Sequence, residues 1–166
     1  MTGLFITLLI LLTLCSGFFS SSETSLFSLS PTRVRYFRTH QERKKRLVSI
    51  LTSKPHDLLV TLLMLNVFVN IMIQNISANI FQSATSWLYT IGVPLVLTLF
   101  FGEIIPKSIA LKNNNLVAPT VAPFIYSVYK LLGPIRELVG KVTTYVTKVL
   151  FFYLNPNAEI KIMRNT

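Results

Sequence analysis

No Lys, Arg, Asp or Glu occurs from Met1 to Ser22, or from Leu58 to Gly102. A helix needs about 20 predominantly apolar residues to cross the hydrocarbon of a bilayer. Inside that hydrocarbon only helices and closed barrels satisfy their own backbone. The mean hydropathy of +0.57 agrees with a membrane origin. So does a charged fraction of 13%, where a soluble domain carries roughly 25%. The pattern predicts an all-α membrane protein: three transmembrane helices followed by juxtamembrane, interfacial belt helices.

The first predicted span runs from about Gly3 to Leu29, its second half interrupted by Gly17 and Ser20–Ser22, with Pro31 at its exit. The second runs from about Leu58 to Phe81 and the third from about Leu88 to Ile109. The uncharged link Gln82–Ser86 joins them, and Trp87 and Tyr89 suit an outer aromatic belt. Met1–Phe5 has no basic n-region, so the first segment reads as a retained span rather than a cleaved signal. Cys15, the one cysteine, reads as a small buried hydrophobe.

Between the first two spans lies a basic loop, residues 32–56. It carries Arg33, Arg35, Arg38, Arg43, Lys44, Lys45, Arg46 and Lys54, eight of the sixteen basic residues. The net charge of +10 is therefore explained by the positive-inside rule, and no nucleic-acid partner is expected. The same rule places the N-terminus outside and the C-terminus in the cytoplasm. Arg43–Leu51 fits a short interfacial helix over anionic headgroups. Residues 116–132 are apolar but interrupted by Pro119 and Pro123. A fourth crossing there would carry Arg136, Lys141, Lys148 and Lys161 to the outer face. Helices along the cytoplasmic surface, or wrapped around the spans, are preferred. Glu137–Leu154 reads as another such helix, with Lys141 and Lys148 on one face and Phe151, Phe152 and Tyr153 at the headgroup boundary. The organisation is thus a three-span core over 1–112, a belt over 113–154 and a linker or tail over 155–166.

Polar residues at depth are the functional signal, because a charge inside the bilayer is expensive. Glu103 ends the third apolar run, in Phe101-Gly102-Glu103-Ile104-Ile105-Pro106-Lys107. Its neighbour at i+4, Lys107, offers a simple ion pair. The other reading is a cation site, with Pro106 releasing the carbonyl of Gly102 and Gly102 allowing close approach. Ser20 and Glu23 share a face of the first span. Ser22 points elsewhere unless the helix unwinds locally, and Ser21 and Ser25 read as bonding back to their own helix. Asn66 and Asn70 lie one turn apart in the second span, as interhelical glue or as ion ligands. The donors are all oxygens, which suits hard cations such as Mg²⁺, Ca²⁺ or Na⁺ without choosing among them. His40 and His56 lack Cys or acidic partners at zinc spacing. There is no glycine-rich phosphate loop and no serine-hydrolase arrangement, so an enzyme is not expected.

Phe18-Phe19-Ser20-Ser21-Ser22-Glu23-Thr24, Leu65-Asn66-Val67-Phe68-Val69-Asn70 and Gly102-Glu103-Ile104-Ile105-Pro106-Lys107 together resemble, in order and spacing, the transmembrane domain of the CNNM/CorC (cyclin M; HlyC/CorC) family. The resemblance covers nearly the whole chain. It implies a homodimer in the bilayer, in a bacterial inner membrane, that exports Mg²⁺ coupled to inward Na⁺. It also implies that Ser20, Ser22, Asn66, Asn70, Gly102 and Glu103 hold the metal, with Glu23, Pro106 and Lys107 in coupling or gating. The alternative is a non-transporting membrane anchor or Mg²⁺ sensor that recruits cytosolic partners. Family members usually continue into cytosolic CBS modules, toward which residues 155–166 would be the linker.

Overall fold

The computed structural model describes residues 2–80 and 91–154. Trp87, Tyr89, the link Gln82–Ser86, the end of the second predicted span and the start of the third lie outside the described residues, as does the tail from 155. All described secondary structure is helical. The elements are α1 (Thr2–Phe27), α2 (Pro31–Thr39), α3 (Arg43–Thr52), α4 (Pro55–Ile80), α5 (Val93–Leu97), a π-helical segment (Thr98–Ile104), α6 (Ile105–Lys112), α7 (Asn114–Leu131) and α8 (Gly133–Leu154). Among the described residues three helical stretches are each long and apolar enough to cross a membrane: Gly3–Phe27, Pro55–Ile80 and Val93–Lys112. The third is α5, the π segment and α6 read as one.

One compact unit comprises residues 1–130. Its core joins Leu26 and Leu29 from the first span, Leu58, Leu62 and Ile73 from α4, Val48 and Leu51 from α3, and Ala118, Ala122 and Ile125 from α7. A second unit comprises residues 131–166 and contains α8.

The basic loop is itself helical. Ser30 caps α2 by accepting a hydrogen bond from the Arg33 N–H at 3.3 Å, with Pro31 opening the helix. Phe37 of α2 and Val48 and Leu51 of α3 turn inward, while the arginines remain exposed. Glu42 precedes α3, and its hydrogen bond to Lys45 at 3.1 Å holds its carboxyl below the usual range.

Two sequence expectations need correcting. Gly17 and the serine cluster do not interrupt the first span: α1 runs through them, and the Ser21 and Ser22 hydroxyls return to a carbonyl of their own helix. Ser21 and Ser22 both donate to Phe18 O, at 2.9 and 2.6 Å, and Ser25 donates to Ser22 O at 3.1 Å. Pro119 and Pro123 likewise lie inside one continuous helix. Each removes a single backbone donor, and the helix keeps its remaining ladder and a buried face.

α7 is fastened at both ends. Asn114 Nδ2 donates to Ser28 O and Oγ at 3.0 and 3.1 Å, just beyond α1. Tyr129 OH donates to Asp57 Oδ2 at 3.4 Å, in the first turn of α4. Between these ties Phe124 packs edge-on against Phe18, with ring centroids 5.3 Å apart.

Candidate ion site

Ser16 is the hinge of the site. It is fully buried on α1, and its hydroxyl lies 3.2 Å from Asn66 Oδ1 and 3.0 Å from Asn70 Oδ1. Asn66 and Asn70 face it together because they are one turn apart on α4. A hydroxyl has one proton to donate. Two amide oxygens therefore converge on a single hydrogen and are left with unsatisfied acceptor capacity in a low-dielectric setting. Hydroxyl and amide oxygens are the ligand types that hard cations take.

The third span closes on the same point. A side chain at Gly102 would bring its Cβ to 2.9 Å from Ser16 Oγ and 3.3 Å from Ser16 Cβ. Glycine admits this approach without displacing the Ser16 hydroxyl. One turn on, Gly17 faces Pro106 and the Phe101 carbonyl, which a Cβ would meet at 3.0 and 3.1 Å. Two glycines on neighbouring spans thus let three helices meet at Ser16.

The π register accompanies this contact. The Ile105 N–H donates to Phe100 O, five residues back. In that register the partner of Phe101 O would be residue 106, a proline without an N–H. The released carbonyl is therefore that of Phe101, where an α-helical register assigns it to Gly102. π-bulges of this kind are frequent at functional sites.

The predicted residues divide. Asn66, Asn70 and Gly102 meet around Ser16. Ser20 lies one turn further along the same face of α1. It is fully buried, and its Oγ has no hydrogen-bond partner among the described residues. Ser22 is also fully buried, but its hydroxyl is turned back onto Phe18 O. Glu103, next to Gly102, is half-buried and makes no hydrogen bond or ion pair with another described residue. Lys107 does not pair with Glu103. It reaches across to Glu23 on α1, Nζ to Oε2 at 3.8 Å. Pro106 seats on Gly17.

Ser16 is the residue that sequence reasoning misses. Ser16, Ser20 and Glu23 fall at i, i+4 and i+7, one face of one helix, but that spacing does not say which neighbour the face meets. An apolar cleft of about 330 Å³, lined by Gly17, Phe18, Phe101, Ile105 and Pro106 among others, includes none of the predicted metal ligands. Among the described residues no group of three His, Cys, Asp or Glu could hold a metal. Any metal here relies on hydroxyl, amide and backbone oxygens with few carboxylates.

Three apolar spans closing on a buried oxygen cluster define an integral membrane protein with a polar site between its helices. A family model described as the cyclin M transmembrane N-terminal domain matches residues 6–162, and the chain belongs to that family. Among its relatives is a UPF0053 protein of Haemophilus influenzae, 28% identical over 96% of this chain and 39% of the relative. The UPF0053 inner membrane protein YfjD of Escherichia coli is 27% identical over 81% of this chain and 32% of its own length. Protein MAM3 of Saccharomyces cerevisiae is 26% identical over 82% and 20%. The chain spans less than half the length of these relatives.

Proposed function

We propose that this chain is the membrane core of a divalent-cation transporter that moves Mg²⁺ out of the cytoplasm in exchange for Na⁺. The observation that carries the reading is the pair of amide oxygens of Asn66 and Asn70 sharing the single Ser16 hydroxyl, one turn from a buried, unpartnered Ser20 hydroxyl. In the proposal Ser16, Ser20, Asn66, Asn70 and Glu103 supply oxygens to Mg²⁺, with Ser22 and the backbone near Gly102 completing the set. Glu103 supplies the negative charge. Mg²⁺ dehydrates reluctantly, so several protein oxygens must replace water together, and release requires the cluster to open. The working form is a homodimer, with the α2–α3 end in the cytoplasm.

The test is Mg²⁺ flux in proteoliposomes under an imposed Na⁺ gradient, with Glu103→Gln as control. Flux requiring both Na⁺ and Glu103 supports the exchanger. Glu103-dependent Mg²⁺ binding without flux would mean that transport needs further protein.

A second reading is an anchor or Mg²⁺ sensor. It is favoured by the same Ser16 bonds, which hold α1 to α4 as interhelical glue does. It predicts no Mg²⁺-dependent thermal shift for an anchor, and for a sensor a shift with no flux in any longer form of the protein.

A further inference from the structure

Lys107 closes the Gly102-Glu103-Ile104-Ile105-Pro106-Lys107 element of the third span, yet its partner is on another helix. Its ammonium lies 3.8 Å from Glu23 Oε2, beyond direct hydrogen-bond distance. The lysine side chain is 42% exposed and the glutamate 20%. A pair built only to hold helices would be expected closer and more enclosed. This one is loosely apposed, and one of its members has an open side.

Its place matters. Glu23 is the last member of the stripe Ser16, Ser20, Glu23 on α1, on the side nearer the basic helices α2 and α3. The middle member, Ser20, is wholly buried with an unpartnered hydroxyl. A carboxylate and a free hydroxyl at i, i+3 on one face offer oxygens to a cation. The only cation paired with Glu23 among the described residues is the Lys107 ammonium. Lys107 is held there from behind, because the preceding Pro106 seats on Gly17 and the π segment lies directly before α6.

We infer that Lys107 is a tethered counter-cation: its ammonium takes the cation position beside Glu23 and must leave when a hard cation, Na⁺ or a divalent ion, binds there. The inference rests on the proposed ion path and adds a second station to it. The lysine neutralises Glu23 in the empty protein and competes with the ion in the loaded one. It also leaves Glu103 free for the upper cluster, which an in-helix Glu103–Lys107 pair would not. A competitor of this kind lowers the apparent affinity by the fraction of time that it is seated.

The experiment titrates the full chain, purified in detergent, with NaCl or MgCl₂ at constant ionic strength set by choline chloride. The midpoint of the thermal shift reports affinity. Lys107→Met should move the Na⁺ or Mg²⁺ midpoint to lower concentration by about tenfold, as for a latch closed nine parts in ten. Adding Glu23→Gln should abolish that gain, and Lys107→Arg should keep the wild-type midpoint. A purely structural pair would lower the melting temperature in Lys107→Met and leave the midpoints unchanged, which overturns the inference. An equal gain in the Glu23→Gln background overturns it too. The two readings separate cleanly. Loss of any Glu103→Gln-sensitive Mg²⁺ response with the Lys107→Met gain intact removes the upper site and keeps the latch. The reverse keeps the site and removes the latch.

Discussion

Ser16 and Ser20 lie one turn apart on α1, both fully buried, and differ in one respect that a methyl group can read. The Ser16 hydroxyl serves two amide oxygens on α4, whereas the Ser20 hydroxyl serves none. Ser16→Ala is therefore expected to destabilise the metal-free protein by roughly 1 kcal/mol, in the range of interhelical hydrogen bonds within membranes. Ser20→Ala should leave the metal-free protein as stable or more so, because a buried unpaired hydroxyl carries a penalty of about 1–3 kcal/mol. Both variants should weaken Mg²⁺ binding. Thermal unfolding with and without Mg²⁺ separates the two effects. Equal loss of metal-free stability in both would assign Ser20 to helix glue and strike it from the ligand set. The sequence alone marks Ser20, Asn66, Asn70 and Gly102 by residue type and depth. It does not mark Ser16, because what distinguishes Ser16 is the rotation of α1 against α4. That rotation is fixed by packing between the two helices and is written in neither alone.

At the scale of the helix, the departures from regularity sit in the third span. The serine cluster beside Gly17 suggests a break in α1, but the hydroxyls of Ser21, Ser22 and Ser25 find carbonyls within the helix and the ladder holds. The third span has the two prolines Pro94 and Pro106 and a π segment between them. A prolyl residue is legible in sequence; the wider hydrogen-bond register is not, since it depends on how the π segment and α6 are held against α1. The two glycine contacts give this a test. Gly17→Ala would drive a methyl group against the Pro106 ring and the Phe101 carbonyl, both rigid. Overpacking of this sort costs about 1–3 kcal/mol, so a clear fall in melting temperature is expected. Gly102→Ala meets mainly the Ser16 side chain, which can rotate away. Its loss should fall on Mg²⁺ affinity more than on stability, because the rotation takes Ser16 from Asn66 and Asn70. If Gly102→Ala melts the protein as severely as Gly17→Ala and leaves Mg²⁺ affinity intact, the Ser16 contact is packing and not part of a site.

For the molecule as a whole, the decisive quantity is orientation, because it sets the direction in which an ion would move. Charge is distributed so that α2 and α3 carry seven basic residues at one end of the spans, with Lys54 just beyond α3. The start of α1 carries none. Moving a charge against a membrane potential costs about 2.3 kcal/mol per 100 mV, so the basic hairpin is expected to remain cytoplasmic. The 26 residues of α1 separate its ends by about 39 Å at 1.5 Å per residue, enough to span the hydrocarbon. Leu4, exposed near the start of α1, and Ser53, exposed between α3 and α4, therefore report opposite faces. In a Cys15→Ala background, Leu4→Cys should react with a membrane-impermeant maleimide from outside intact cells. Ser53→Cys should react only after permeabilisation. The opposite pattern would place the Glu23–Lys107 end outside. The ion would then meet Lys107 on the way in and not on the way out, and the proposed Mg²⁺ export would have to be read as uptake.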